Sequence, residues 1–374
     1  MNGDDKKIRV LIADDSSFMR RVLAGIIERD PQLEVVGEAR DGREAVDLAE
    51  SLHPDVITMD LNMPRVDGLQ ATEMIMSQHP RPIVILSSDS RDGAETTLRA
   101  LELGAIDFVP KPSSGIDLDM NQVGDELTRK IRMASKVRVV RTATRTKSSV
   151  APAMIAAAAG QAPAPAVWKS PTPSAEERFP IVVIAASTGG PAMVMRLAPR
   201  FPKNYPAAIF LVQHMPATFT SQFGLQLAEV SQLRVKEAEH CERFRPGTFY
   251  VCPGSHHLSF SATGKILLDS GPRILGYRPS ADVALETAAT FAGKMAVAVI
   301  LTGMGNDGAQ GARAVKAAGG TVLAQDEATS VIFGMPAEAI KAGAVDRVLG
   351  IDDIYPAVDR CVTQLMASAV VTFR

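Results

Sequence analysis

Asp14 and Asp15, Asp60, Ser87 and Lys111 each stand at the end of an apolar run, and Ser187, His214 and Asp307 do the same later in the chain. The first group brings three carboxylates, a hydroxyl and an ammonium. Carboxylates crowded together repel one another unless a cation joins them, and hard oxygen ligands suit Mg²⁺. The second group brings a hydroxyl, an imidazole able to take its proton and a carboxylate able to fix the imidazole's tautomer. Those are the parts of a nucleophilic acyl-transfer site.

Both groups come together only if the runs that carry them are neighbouring strands. Ile8–Ala13, Asp55–Met59, Arg81–Leu86 and Ala105–Val109 read as short strands buried on both faces. Helical stretches fall between them, so the sheet is expected to be parallel, with its carboxyl edge facing one crevice. Ile181–Ala186, Ala207–Val212, Ala296–Leu301 and Thr321–Ala324 repeat the pattern. The fold class is therefore α/β in both halves. Between Arg234 and Asp269 the segments RVKEA, TFYVC, HLSF and KILL are short, partly alternating and split by RPG, PGS and ATG turns. They predict antiparallel hairpins within or beside the second sheet.

Each candidate has a structural alternative. An Asp or Ser after a strand is a common helix N-cap, and a lone histidine on an apolar strand is commonly a core residue. Five histidines, His53, His79, His240, His256 and His257, sit in turns or polar contexts; only His214 directly continues an apolar strand. A stronger rival is the run from Gly303 to Gly308. It matches G-x-G-x-x-G after a strand and before a helix, with Asp326 ending the next strand where a ribose-binding acid would sit. Its position late in the domain, and the lack of work it leaves for Ser187 and His214, count against a dinucleotide site.

Composition limits the alternatives. A 374-residue chain accommodates two domains, and 46% hydrophobic with 22% charged residues is ordinary for globular protein. A net charge of −2 gives no electrostatic footprint for nucleic acid. Cys241, Cys252 and Cys361 are scattered and odd in number, which argues against a disulfide framework or a zinc site and fits a reducing cytoplasm. The polar start MNGDDKK lacks the apolar core of a signal peptide, and no apolar run is long enough to insert in a membrane. Between Thr142 and Arg178, repeated Pro and small residues predict a linker; Met154–Ala159 within it could form one helical turn. Val123, Leu127, Ile131 and Ala134 recur at helical spacing before it. The expected division is 6–130, a linker over 131–178, and 179–374.

The segments LIADDS, ITMDLNMPRVDG, ILSS and FVPKP resemble a response-regulator receiver domain over residues 6–130. The resemblance implies a flavodoxin-like, five-stranded, doubly wound parallel sheet. It makes Asp60 the acceptor of a phosphoryl group from a histidine kinase, with Mg²⁺ held by Asp14, Asp15, Asp60 and the carbonyl of Asn62. Lys111 would pair with the phosphoryl oxygens, and Ser87 would swing to bond one of them. The segments VIAASTGGP, FLVQHMPATFT, RPGTFYVCPG, YRPSADV, LTGMGNDGA and AQDEATSVIFGMP resemble the catalytic domain of chemotaxis protein-glutamate methylesterases. That resemblance implies a second doubly wound, mainly parallel sheet with an antiparallel hairpin. It makes Ser187 the nucleophile, His214 the general base and Asp307 its orienter. Oxyanion donors would come from the backbone at Met304 and from the STGG turn at Gly190. The esterase step would need no cofactor. The substrates implied are methylated glutamates on chemoreceptor cytoplasmic domains, with deamidation of receptor glutamines, under a receiver that covers the cleft until phosphorylated. The family usually has Gly two positions before the serine; here Ala185 stands there, within the expected strand, where a methyl should fit.

Overall fold

A computed structural model describes the backbone of residues 6–88, 90–111, 117–137 and 179–371, and the side chains of these except 117–122 and 369–371. Most of the expected linker, including Met154–Ala159, lies outside the described residues. The first unit alternates strand and helix: β1 (Ile8–Ala13), α1 (Ser17–Glu28), β2 (Leu33–Ala39), α2 (Gly42–Leu52), β3 (Val56–Asp60), α3 (Gly68–Gln78), β4 (Ile83–Ser87), α4 (Arg91–Glu102), β5 (Asp107–Pro110) and α5 (Asp117–Ala134). Side-chain caps start the helices: Ser16, Asp41, Asp67 and Ser90 each accept the N–H three residues on. β1, β3 and β4 are apolar on both faces because helices cover both sides. Strand order is β2-β1-β3-β4-β5, all parallel. The order reverses between β1 and β3, and a crevice opens at such a switch point. Asp14, Asp15 and Asp60 end those two strands.

α5 continues to Ala134, with Ile131 and Ala134 fully buried in the core of this unit. The helix thus passes the boundary expected at 130 by one turn, because its apolar stripe still has the sheet to cover.

The second unit contains β6 (Ile181–Ala186), α6 (Gly190–Leu197), β7 (Ala208–Gln213), α7 (Ala217–Val230), β8 (Arg234–Glu237), β9 (Thr248–Val251), β10 (His257–Phe260) and β11 (Ile266–Asp269). It continues with α8 (Ala281–Ala292), β12 (Ala296–Ile300), α9 (Ala309–Ala317), β13 (Thr321–Gln325), α10 (Met335–Lys341), β14 (Arg347–Leu349) and α11 (Ile351–Val371). A seven-stranded sheet runs β14-β13-β12-β6-β7-β9-β8. After β6 the chain adds strands on one side, then returns to add β12 and β13 on the other. The switch point therefore lies between β6 and β12, at the ends that carry Ser187 and Asp307, with β7 and His214 alongside.

One expectation is corrected. β8 and β9 pair parallel with each other, and β9 pairs parallel with β7, so both belong to the main sheet. Among the described strands, β10 and β11 alone pair antiparallel, as a hairpin. Residues 238–247 carry the chain back along the sheet before β9, without a helix. Alternation and turn residues look the same for either direction of pairing.

Candidate active site

β6, β7 and β12 end side by side: Ala186 pairs with Gln213, and Ala185 with Ile300. The next residues are held at those ends by their own backbone. Ser187 N–H donates to the Thr302 carbonyl (3.1 Å), and its carbonyl accepts from Gln213 Nε2 (2.8 Å). His214 N–H donates to the Ala186 carbonyl (3.1 Å). Ser187 and His214 line one cavity of about 240 Å³.

Asp307 is fully buried and accepts four hydrogen bonds. Its Oδ2 takes His214 Nε2 (2.7 Å) and Ala281 N–H (2.7 Å); its Oδ1 takes Ser280 Oγ (2.8 Å) and Asp282 N–H (3.0 Å). Three of these donors form the N-terminus of α8, whose dipole also favours negative charge. Burial opposes ionisation of Asp307. The His214 hydrogen bond and charge, with the two N–H groups, outweigh it and hold the carboxyl below its ordinary value. The pair fixes a proton on His214 Nε2, so Nδ1 is the basic nitrogen. That Nδ1 is buried and has no hydrogen-bond partner among the described residues. The Tyr277 ring stacks on the imidazole with centroids 4.0 Å apart and planes 11° from parallel.

The glycines after β12 serve this arrangement. A methyl on Gly303 would stand 2.8 Å from Ser187 Cβ and collide with Met335 Sδ. Gly305 and Gly308 take φ of 86° and 95°, which glycine adopts without strain. Gly303 N–H donates to the Ile332 carbonyl (3.0 Å) and Gly308 N–H to Asp282 Oδ1 (2.9 Å), so neither is open to a phosphate. Asp326 Oδ1 accepts Thr329 N–H (2.9 Å), closing its own turn. The loop therefore holds the buried carboxylate, and the N–H groups of the glycines that open and close it are spent within the protein. Ala185 is buried within β6, and the ideal position of a Cβ on Gly308 lies 3.8 Å from its methyl, so the departure from Gly is accommodated.

Of the two backbone candidates for an oxyanion, Met304 lines the cavity. Gly190 N–H donates instead to the Ser187 carbonyl (2.8 Å), as the first turn of α6 requires, and is withdrawn from that role. Ser280, Tyr277 and Asp282 were not singled out from sequence. The signal for Ser280 and Asp282 was the S-x-D before an apolar run, which reads locally as a helix start. His257 opens the HLSF strand, now β10, and is 4% exposed.

In the first unit, one carboxylate oxygen each from Asp14, Asp15 and Asp60 lie within 4.8 Å of one another. Lys111 Nζ contacts Asp14 Oδ2 (2.9 Å) and Asp60 Oδ2 (2.8 Å). Burial pushes the Asp60 carboxyl above its ordinary value, against the pull of Lys111. Asn62 N–H reaches Asp60 Oδ1 (3.3 Å). Ser87 Oγ accepts from Thr97 Oγ1 (2.6 Å) on α4.

The first unit roofs the cavity. Arg129 of α5 donates to Tyr277 Oη (3.1 Å), the ring that covers His214. Thr188, next to Ser187, donates to Asp107 of β5, which also meets Lys130 Nζ (3.1 Å). Phe108 stacks on Phe219 of α7 at 4.1 Å. With this roof in place Ser187 is only 8% exposed. Among the described residues no helix is long and apolar enough to cross a membrane.

Comparison with known proteins agrees with both halves. The CheB methylesterase family model matches residues 182–358, and that of the response regulator receiver domain matches 10–121. A Pyrococcus abyssi protein named protein-glutamate methylesterase/protein-glutamine glutaminase is 44% identical over 375 residues, spanning 96% of this chain and 95% of its own. A Thermotoga maritima protein of the same name is 43% identical over 348 residues, spanning 92% and 96%. The crystal structure of the Thermotoga maritima CheB methylesterase catalytic domain is 43% identical, covers 50% of this chain and 100% of its own, and superposes with a TM-score of 0.49.

Proposed function

This chain belongs to the protein-glutamate methylesterase/protein-glutamine glutaminase family, and from that premise we propose that Ser187, His214 and Asp307 carry out its hydrolysis. The enzyme is a carboxylic ester hydrolase under a receiver. Ser187 Oγ attacks the ester carbonyl of a methylated glutamate while His214 Nδ1 takes its proton. The tetrahedral oxyanion is met by the backbone N–H of Met304. Collapse expels methanol, which leaves with the proton from Nδ1. A water then gives a proton to Nδ1 and attacks the acyl-serine; collapse returns that proton from Nδ1 to Ser187 Oγ and releases the glutamate acid, which ionises to the carboxylate in solvent. With a glutamine amide, ammonia leaves in place of methanol. The observation that carries this reading is the unpartnered Nδ1 on a buried imidazole whose other nitrogen is fixed by Asp307, in a ring that lines the same cavity as Ser187.

The substrates are the cytoplasmic helices of chemoreceptors, and the phosphodonor is a histidine kinase of the same cytoplasm. The receiver, from residue 6 through α5, acts on the catalytic unit that begins near 179 across the intervening linker. Three clustered carboxylates fit a divalent cation, so Asp14, Asp15, Asp60 and the Asn62 carbonyl would hold Mg²⁺. When bound, that ion neutralises charge on the phosphoryl group. Asp60 carries the group, and Lys111, now paired with Asp14 and Asp60, pairs with it. Ser87 leaves Thr97 to bond the same group, loosening α4, which packs on α6 and α7. A cleft closed 99% of the time needs about 2.7 kcal/mol in favour of the roof, which a modest interdomain interface supplies.

A serine-directed fluorophosphonate tests the triad. Wild type should label at Ser187, and Ser187→Ala should neither label nor release methanol. Wild-type methanol release by Ser187→Ala would overturn the assignment.

A further inference from the structure

Asp307 and Asp282 cap each other's helices. Asp307, just before α9, accepts from Ser280 Oγ, Ala281 N–H and Asp282 N–H at the start of α8. Asp282, in the first turn of α8, returns the bond: its Oδ1 accepts Gly308 N–H (2.9 Å) and Gly311 N–H (2.7 Å) at the start of α9. A helix start has N–H groups without intrahelical partners, and here each helix satisfies them with a carboxylate from the other.

Close packing makes the exchange feasible. A Cβ on Gly311 would stand 2.5 Å from Leu285 Cβ and 3.0 Å from the Asp282 carbonyl oxygen, so only glycine lets α9 approach α8 this closely. Gly308 reaches its bond through a φ of 95°. The far side of the α8 start is anchored as well: Ser280 N–H donates to His257 Nδ1 (3.2 Å), whose Nε2 donates to the Pro272 carbonyl (2.9 Å). Asp282 is 8% exposed, an uncommon burial for a carboxylate that, among the described residues, has neither a cationic partner nor contact with the cavity.

We propose that Asp282 is a positioning residue of the esterase: its side chain ties the α9 start to α8 and thereby fixes where Asp307 holds the His214 imidazole. The proposal rests on the triad reading. It assigns the work to hydrogen-bond acceptance at one oxygen position, and assigns none to the negative charge. Loss of the tie would let the α9 start at Gly308 relax and misalign the adjoining Asp307–His214 pair, while neither Asp282 nor Gly308 lines the cleft that binds substrate.

Two conservative variants separate these roles. Asp282→Asn keeps the acceptor and removes the charge. Asp282→Glu keeps the charge and moves the acceptor by a methylene. Each is assayed in the full-length protein for kcat and KM of methanol release, for the rate of fluorophosphonate labelling at Ser187, and for the downfield proton resonance of His214 Nε2–H. The expected result is that Asp282→Asn stays within about threefold of wild type in kcat, with the resonance kept. Asp282→Glu should lose about tenfold or more in kcat and in labelling rate, with KM within about twofold and the resonance shifted or broadened. A merely structural cap would change thermal stability and leave the resonance of the folded protein in place. Asn slow with Glu fast would make charge the active property and overturn the proposal, as would two variants that both match wild type or both slow equally. Failure of the triad reading shows separately, as methanol release by Ser187→Ala.

Discussion

Replacing Asp307 by Asn tests the triad at its most buried member. The carboxylate accepts from His214 Nε2 and Ala281 N–H at Oδ2, and from Ser280 Oγ and Asp282 N–H at Oδ1. An amide offers one accepting end and one donating end. With its NH₂ at the Oδ2 position it would face the Ala281 N–H and force His214 Nε2 to accept, moving the ring proton to Nδ1, where it blocks transfer from Ser187. With its NH₂ at the Oδ1 position the Ser280 hydroxyl can rotate to accept, but the Asp282 N–H faces a donor. Either orientation leaves one buried N–H unsatisfied, at about 1–3 kcal/mol of stability, or roughly 2–10 °C in Tm. Either also removes the charge opposite the imidazolium, and a charge-assisted bond is about twice as strong as a neutral one. Taking about 3–5 kcal/mol from the transition state predicts a fall of roughly 10² to 10⁴ in kcat. KM should stay within a few-fold, since Asp307 does not line the cavity. The assay is methanol release from methylated receptor, well below the melting temperature. An Asp307→Asn enzyme within about threefold of wild-type kcat would refute the role assigned to the carboxylate.

Three further outcomes rest on the same geometry. Arg129→Ala removes the bond to Tyr277 Oη, and at about 1 kcal/mol it should raise the unphosphorylated rate roughly fivefold, read as methanol release without phosphodonor; an unchanged rate would detach Arg129 from the roof. Gly303→Ala drives a methyl toward Ser187 Cβ and Met335 and should cut kcat by roughly 10- to 100-fold, with fluorophosphonate labelling falling in parallel. Burial pushes Asp282 up to about 6 from its ordinary 3.8, so its ionisation opposes folding: stability from this group is fullest below about pH 4 and is lost as pH rises through 6. Asp282→Asn should therefore gain on wild type between about pH 5 and pH 8 by about 1 kcal/mol after solvent screening, roughly 2–4 °C in Tm. A constant Tm difference across that range would contradict the shift.

The chemistry-bearing residues were legible because strands buried on both faces are nearly unbroken apolar runs, and in a parallel sheet the residues just past each run gather at the same edge. β2 and β14 escaped notice for the opposite reason. LEVVGEA carries two glutamates on a half-covered strand, and β14 has only three residues. The direction of β8 and β9 was illegible because period-2 alternation records which face is buried and says nothing of which way a neighbour runs. Met304 and Gly190 came equally from the family resemblance; what separates them is that Met304 lines the cavity while Gly190 N–H bonds the Ser187 carbonyl. Asp282 and Ser280 sit in a local pattern that announces a helix start; that their partner is Asp307 depends on how α8 and α9 pack. Tyr277 against His214 depends on packing within the second unit, and Arg129 against Tyr277 depends further on how the two units meet.

The most direct test is methanol release from methylated chemoreceptor by the full-length chain, with and without acetyl phosphate and Mg²⁺, beside Ser187→Ala and Asp60→Asn. The account predicts slow release that rises on adding phosphodonor in wild type, no such rise in Asp60→Asn, and no release at all in Ser187→Ala. Release by Ser187→Ala at the wild-type rate, or acceleration by phosphodonor that survives Asp60→Asn, would contradict it.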